Sequence, residues 1–297
     1  MLDRRDFLKS AGLLTLGATM MPEVAMAKKS KKAKPGKKQI GFQGYSLGPE
    51  LGGEKTAEAL RRLGAMGYTY MELAGFCGHS ATELKQMVDD AGIKVVSTHL
   101  NADTKGQKYS KENKQMILDY WKKQIESHAP FGMQYLVQPT LPRIENIDDA
   151  KRVAETFNAI GEVAKQAGLT WGYHNHNREF NRVKGEGSPD RFIEDIFITE
   201  TDPSLVVFEL DVYWTVMGQQ DPVEWINKYK DRIQLLHIKD RLVLGQSGMM
   251  NFEQIFKNFN ANGHNTFFVE IEDTHSGKQM QRMEESANYL LAADFVK

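Results

Sequence analysis

From Gln39 to its C-terminus the chain repeats one unit eight times: a short apolar run, a loop, then an amphipathic stretch that stops near a glycine. The runs begin near Ile40, Thr69, Lys94, Gln134, Leu169, Leu205, Ile233 and Thr266. Segments such as VVSTH, YLVQP and LVVFELD suit strands buried on both faces, which belong to parallel sheets. Helix starts fall between them. Ser80-Ala-Thr-Glu83 spells a capping box. Ser188-Pro189 and Asp221-Pro222 each set a capping side chain before a proline at a first helical position. Asn251 is placed to cap a helix from Phe252 to Asn262, with Gly263 as its stop. Gly67, Gly92, Gly132 and Gly168 each precede the next strand. Strand and helix alternating in this way over residues 39–297, with no internal linker, predicts an α/β fold of one domain, a (β/α)8 TIM barrel. An open doubly wound sheet is the competing architecture. It would carry a glycine-rich phosphate turn after the first strand, and Gly41-Phe-Gln-Gly44-Tyr-Ser lacks the required spacing.

The first 38 residues are of a different kind. Asp3-Arg4-Arg5-Asp6-Phe7-Leu8-Lys9, a short apolar stretch from Ala11 to Met21, and Ala25-Met26-Ala27 have the order of a twin-arginine export signal with an A-x-A cleavage site. The expectation is a signal peptide over residues 1–27 and a periplasmic protein. The apolar stretch is too short to span a bilayer and contains two glycines, which argues against a membrane anchor. Lys28 to Lys38 holds seven lysines and almost nothing apolar. It reads as a solvated tether over residues 28–38, without ordered contacts to the barrel. Residues 1–38 carry ten Lys/Arg and three Asp/Glu, which leaves 28 basic against 36 acidic residues in the body, a net charge of −8. A body that acidic is a poor partner for nucleic acid. The single cysteine, Cys77, excludes an intramolecular disulfide and a cysteine-rich metal site.

In a barrel of this kind chemistry is carried at the C-terminal ends of the strands. Those ends are polar here: Gln43, Glu72, His99, Gln138, His174-Asn175-His176, Glu209 and Asp211, His237 and Lys239, Glu270 and Glu272. Asp211, His237 and Glu270 leave the core on three consecutive strands. One imidazole and two carboxylates converging on the axis are a set for a divalent metal. A fourth ligand would come from the fifth strand, where His174 and His176 share a face by the period of two. Mixed nitrogen and oxygen donors suit Mn, Co, Zn or Fe better than Ca. Structural roles for His237 and Asp211, with Glu270 as a rim charge, are the plainer alternative.

Tyr173-His-Asn-His176, Glu209-Leu-Asp-Val-Tyr-Trp214, Gly218-Gln-Gln-Asp-Pro222 and Leu236-His-Ile-Lys-Asp240 resemble the sugar phosphate isomerase/epimerase family. That family lies in the xylose isomerase-like barrel superfamily, with the ketose 3-epimerases, inosose dehydratase and endonuclease IV types. The resemblance runs from about Ile40 to the end. It implies one divalent ion, Mn, Co or Zn, bound by a fifth-strand Glu, a sixth-strand Asp, a seventh-strand His and an eighth-strand Glu. The last three fall on Asp211, His237 and Glu270, and the first falls on His174. This departure leaves His174, His176 and Glu179 as contenders for the fifth-strand ligand. It also removes one of the two acid/base carboxylates of a symmetric epimerase and is more similar to the inosose dehydratase branch. The family endonucleases keep a His three residues after the sixth-strand Asp; here that position is Trp214.

Together these readings predict an enzyme that removes a proton beside a carbonyl of an unphosphorylated sugar or glycoside. A lyase acting on 3-keto-glycosides by β-elimination is favoured, ahead of a sugar isomerase or epimerase and of a non-catalytic sugar-binding barrel. His174, Asp211, His237 and Glu270 are assigned to metal. His176, Glu179, Lys239 and His99 are assigned to catalysis, and Glu72, Gln138, Trp214 and Glu272 to substrate.

Overall fold

Each of the eight apolar runs becomes a strand, and the strands pair in parallel. In a computed structural model, which describes residues 38–272 and 276–297, the chain runs β1 (Ile40–Gln43), α1 (Thr56–Met66), β2 (Tyr68–Leu73), α2 (Ala81–Asp90), β3 (Lys94–Thr98), α3 (Lys111–His128), β4 (Tyr135–Gln138), α4 (Ile147–Gln166) and β5 (Thr170–His174). It continues through β6 (Arg182–Gly185), β7 (Ser188–Phe192), α5 (Ile193–Glu200), β8 (Val206–Asp211), α6 (Val212–Met217), α7 (Pro222–Lys228), β9 (Ile233–Ile238), α8 (Phe252–Ala261), β10 (Thr266–Val269) and α9 (Gln279–Ala292). The main sheet has the order β3-β2-β1-β10-β9-β8-β5-β4, so β8, β9 and β10 are the sixth, seventh and eighth barrel strands. Its two ends meet at a short seam. Gln134 N donates to Val96 O at 2.9 Å and Leu100 N to Val137 O at 2.9 Å, with a parallel bridge between His99 and Val137. The seam closes the ring.

The signal-peptide assignment and the tether assignment up to residue 37 lie outside the described residues. Lys38 corrects the tether at its last position. Its ammonium donates to the carbonyls of Leu291 at 2.8 Å and Ala293 at 2.5 Å. A cation on the orphan carbonyls of a helix C-terminus is favourable, so Lys38 is part of the fold.

The capping box at Ser80 is present, with Glu83 N donating to Ser80 Oγ at 3.2 Å and Ser80 N to Glu83 Oε2 at 2.8 Å. Asp221 and Asn251 cap α7 and α8. Ser188-Pro189 does not begin a helix. It opens β7, which pairs antiparallel with β6 as a hairpin outside the barrel. The turn glycine Gly187 has φ 69°, a conformation glycine adopts without strain. A proline is tolerated in an isolated two-stranded ribbon because an edge N–H need not be donated.

The barrel interior is filled from below by Tyr70, Tyr135, Val137, Val207, Leu235 and Phe268, with Val96 against them. Tyr70 lies across the axis. Its hydroxyl donates to Phe267 O at 2.8 Å and accepts from Phe267 N at 3.2 Å. Gly41 is glycine for this reason: a Cβ there would stand 2.1 Å from the Tyr70 ring and 2.7 Å from Phe267 O. Side chains alternate across a strand, so two residues above this apolar floor come Glu72, His174, Glu209, His237 and Glu270. Two further along come His176, Asp211, Lys239 and Glu272. The opposite parity faces the helices: Trp171 and Tyr173 pack on Phe157, with ring centroids 4.7 and 5.1 Å apart.

Candidate active site

Above the floor, carboxylates and imidazoles alternate with almost no solvent. Glu72, Asp211 and His237 are fully buried, and His174 and Glu209 are 1% exposed. His237 is the pivot. Its Nδ1 lies 3.0 Å from Glu270 Oε2, and its Nε2 lies 2.8 Å from Glu72 Oε2 and 3.2 Å from Glu209 Oε2. His174 has the same two-sided arrangement, with Nδ1 3.1 Å from Glu209 Oε2 and Nε2 4.0 Å from Asp211 Oδ2. His99 stacks on His237, 5.0 Å between ring centroids, and its Nε2 reaches Glu209 Oε2 at 2.8 Å and Glu72 Oε2 at 3.0 Å.

Burial alone would keep these imidazoles neutral, and the carboxylates decide which escape it. For His99 burial is outweighed by Glu72 and Glu209, and its pKa rises to about 9. For His237 burial is likewise outweighed, by Glu209 and Glu270, and the pKa is raised. His174 is held low by burial and by the neighbouring His237. Asp211 is pushed up to about 7 by burial, against the pull of Lys239.

Asp211 is held firmly at one end only. Its Oδ1 accepts from Trp214 N at 2.8 Å and its own N–H donates to Asn175 Oδ1 at 3.0 Å, while Oδ2 is buried without a hydrogen-bond partner. An ionised carboxylate oxygen left so is costly unless a cation meets it. One donor atom each from His174, Asp211, His237 and Glu270 lies within 4.8 Å of the others. Ligands at about 2.1 Å from a shared ion stand roughly 3 to 4 Å apart, so the four fit one divalent ion. A second grouping, His99, His174, Glu209 and His237, also falls within that spacing.

The structure sorts the remaining assignments. Lys239 is buried, its Nζ 3.1 Å from Glu270 Oε2 and 3.8 Å from Asp211 Oδ2 and in contact with Glu272. Burial opposes the charge, but these carboxylates outweigh it and raise the pKa; Lys239 is an ammonium. Trp214 lies over it at 4.9 Å, with its indole N–H buried and unpartnered. His176 stands at the mouth, 5.6 Å from the Trp214 ring, and burial lowers its pKa to about 4. Glu272 completes this rim beside Lys239.

Three of the assigned side chains are engaged by protein partners. Glu179 lies behind the barrel wall, where Tyr173 Oη donates to its Oε1 at 2.6 Å and His176 N to its Oε2 at 3.0 Å. It anchors the loop after β5. Gln138 has the outward parity of its strand. It accepts from Tyr109 Oη at 3.2 Å and donates to Thr140 O at 3.0 Å, on the wall of a separate cavity of about 290 Å³. Glu72 is fully buried, its Oε2 shared by Gln43 at 2.6 Å and the two histidines and its Oε1 accepting from Ser97 at 2.6 Å. His99 is tied to the same two carboxylates and sits on the site floor.

Glu209 received no role from the sequence, although it stands two residues before Asp211 on the same strand. Counting parity back from Asp211 would have placed it inside.

A parallel barrel with a buried imidazole–carboxylate set at the C-terminal ends of its strands is a TIM barrel with a candidate active site where such barrels carry theirs. The chain belongs to the xylose isomerase-like TIM barrel family, whose model matches residues 38–293. It is 46% identical to a sugar phosphate isomerase/epimerase from Parabacteroides distasonis, with a TM-score of 0.84 over 91% of this chain and 99% of that one. It is 26% identical to inosose dehydratase of Lacticaseibacillus casei over 204 residues, 65% of this chain and 66% of that protein, just under two thirds of its length. An E. coli 3-keto-D-glucoside 4-epimerase shares the fold, with a TM-score of 0.66 and 20% identity over 84% of this chain and 97% of the other. These relatives are sugar-modifying enzymes. No described helix is long and apolar enough to cross a membrane.

Proposed function

We propose that this chain is a divalent-metal-dependent enzyme that removes the proton beside a ketone of an unphosphorylated sugar, and that its reaction is β-elimination from 3-keto-glycosides. The observation that carries this reading is the convergence of His174, Asp211, His237 and Glu270 under a rim of His176, Lys239, Trp214 and Glu272. The likeness to inosose dehydratase supports a ketone substrate that loses a β substituent. A barrel of the same fold named as a 3-keto-D-glucoside 4-epimerase is in keeping with such a ligand.

The ion, Mn, Co or Zn, would polarise the carbonyl and stabilise the negative charge that grows on its oxygen. The rest falls to side chains. His176 is the rim imidazole not held by a carboxylate, and burial keeps it neutral; it takes the C2 proton. The electron pair of that C–H bond forms a C1–C2 double bond as the C1–O bond breaks. The departing oxygen gains a proton from solvent or from the Lys239 ammonium, which then regains one from solvent. Trp214 covers the apolar face of the ring and offers its indole N–H. The twin-arginine motif places the enzyme in the periplasm, where phosphorylated sugars are scarce.

The likeness to the Parabacteroides sugar phosphate isomerase/epimerase favours a second reading, isomerisation or epimerisation at the same site. It begins with the same proton removal and ends in reprotonation without loss of a group. Incubation in D2O with keto-glycosides, aldoses and ketoses, followed by NMR, separates the two. Release of an aglycone supports the lyase; deuterium incorporation with interconversion and no release overturns it.

A further inference from the structure

One oxygen beneath the proposed metal position has more partners than any ligand above it. Glu209 Oε2 lies 2.8 Å from His99 Nε2, 3.1 Å from His174 Nδ1 and 3.2 Å from His237 Nε2. The two imidazoles that face Asp211 and Glu270 with one nitrogen thus face Glu209 with the other. An imidazole that binds a metal through one nitrogen keeps its proton on the other, and a carboxylate there fixes the tautomer and strengthens the ligand. Glu209 falls in the second grouping, with His99, His174 and His237, while on β8 Asp211 stands one full pleat further along the same face.

We infer that Glu209 is the shared positioning residue of the site, orienting His174 to bind through Nε2 and His237 through Nδ1. This rests on the metal reading above and adds what that reading leaves open: which nitrogens bind, and what holds them. Glu72 supports His237 and His99 but makes no contact with His174, so the two buried carboxylates are not equivalent.

The test uses the full chain. Zinc and cobalt affinities of the wild type, Glu209→Gln and Glu72→Gln are measured by competition with a chelating dye. Histidine ring nitrogens of the zinc-loaded wild type are assigned by 15N NMR. Outer carboxylates of this kind are worth about 10- to 100-fold in affinity. Glu209→Gln should lose that much and should shift the cobalt absorption spectrum, with both histidine ligands perturbed; Glu72→Gln should perturb His237 alone. In the wild type the protons should sit on His174 Nδ1 and His237 Nε2. Unchanged affinity in Glu209→Gln overturns the inference while leaving the metal reading intact. So does zinc on His174 Nδ1 and His237 Nε2, with Glu209 itself a ligand. A wild type that binds neither metal overturns both. If Glu209→Gln fails to fold, the ring assignment of the wild type decides alone.

Discussion

Asp211 Oδ2 lies 3.8 Å from Lys239 Nζ, close enough to feel the ammonium and too far to accept a hydrogen bond from it. The metal-free site is thus balanced by a cation that does not fully satisfy it. Asp211→Asn removes a buried carboxylate whose Oδ2 lacks a donor. We expect the metal-free variant to be more stable than wild type by about 1–3 kcal/mol, and metal to give it no further protection. Thermal melts with and without added Mn, Co or Zn check both signs; a destabilised metal-free variant would contradict the reading.

Metal itself should raise the melting temperature of the wild type. For one site, stabilisation follows the ratio of free ion to dissociation constant and reaches about 2.7 kcal/mol at a hundredfold excess. Chelator-treated protein titrated with each ion provides the measurement. A melting temperature that none of the three ions moves argues against a resident metal.

His237→Ala removes a proposed ligand together with the support it passes to Glu270. Metal affinity and turnover should both fall by more than about 100-fold, the loss that outer-shell changes already approach. Elemental analysis of the purified variant beside a turnover assay checks it. Metal and activity retained together would remove the seventh-strand ligand from the assignment.

If proton removal limits the reaction, a 3-keto-glycoside deuterated at C2 turns over more slowly than the protiated one. The same ketone with a C1 substituent that cannot depart should exchange its C2 proton with solvent and remain intact. Equal rates for both isotopologues, with no exchange in the blocked ketone, would place the chemistry elsewhere.

A fifth expectation concerns the scaffold alone. Asp149, in the first turn of α4, meets Lys108 at 2.6 Å and accepts from Glu145 N at 3.0 Å, and Arg152 contacts it as well. Burial would raise its pKa, but these partners outweigh burial and lower it. A carboxylate with a depressed folded-state pKa contributes stability above its unfolded value, about 3.9, and loses that contribution as the pH falls through the folded value. Asp149→Asn should therefore cost roughly 1 kcal/mol at pH 7, allowing for screening. The difference from wild type should shrink below about pH 4. Denaturant melts at both pH values test the sign.

The strand starts could be read from the sequence because a barrel strand is apolar on both sides, and nothing else in the chain has that pattern. The hairpin Arg182–Phe192 could not, because a Ser-Pro pair is good chemistry for a helix start and equally tolerable in an edge ribbon. Polarity at strand ends located the site, but parity decides membership. His174, Asp211, His237 and Glu270 have inward parity. Gln138 alternates outward with Leu136, and Glu179 sits beyond a loop that turns it back towards Tyr173. Glu72 has the right parity, but Gln43, Ser97 and two imidazoles engage its carboxylate, partners that strand-end polarity alone does not reveal. Glu209 was hidden by its own neighbour, since Asp211 alone seemed to account for that strand.

The seam between β3 and β4 runs through His99, whose backbone bridges Val137 while its ring touches Glu72 and Glu209. Ring closure and assembly of the polar cluster are therefore a single event. The four proposed ligands come from positions 174, 211, 237 and 270, and no two of them are neighbours in the chain. An unfolded chain has no such site to offer, so an ion can enter only after the last strand has docked. The order is fold first, load second. A route that moved the chain across a membrane unfolded would leave the choice of metal to the far side, whereas a route that moves it folded lets the compartment of synthesis decide.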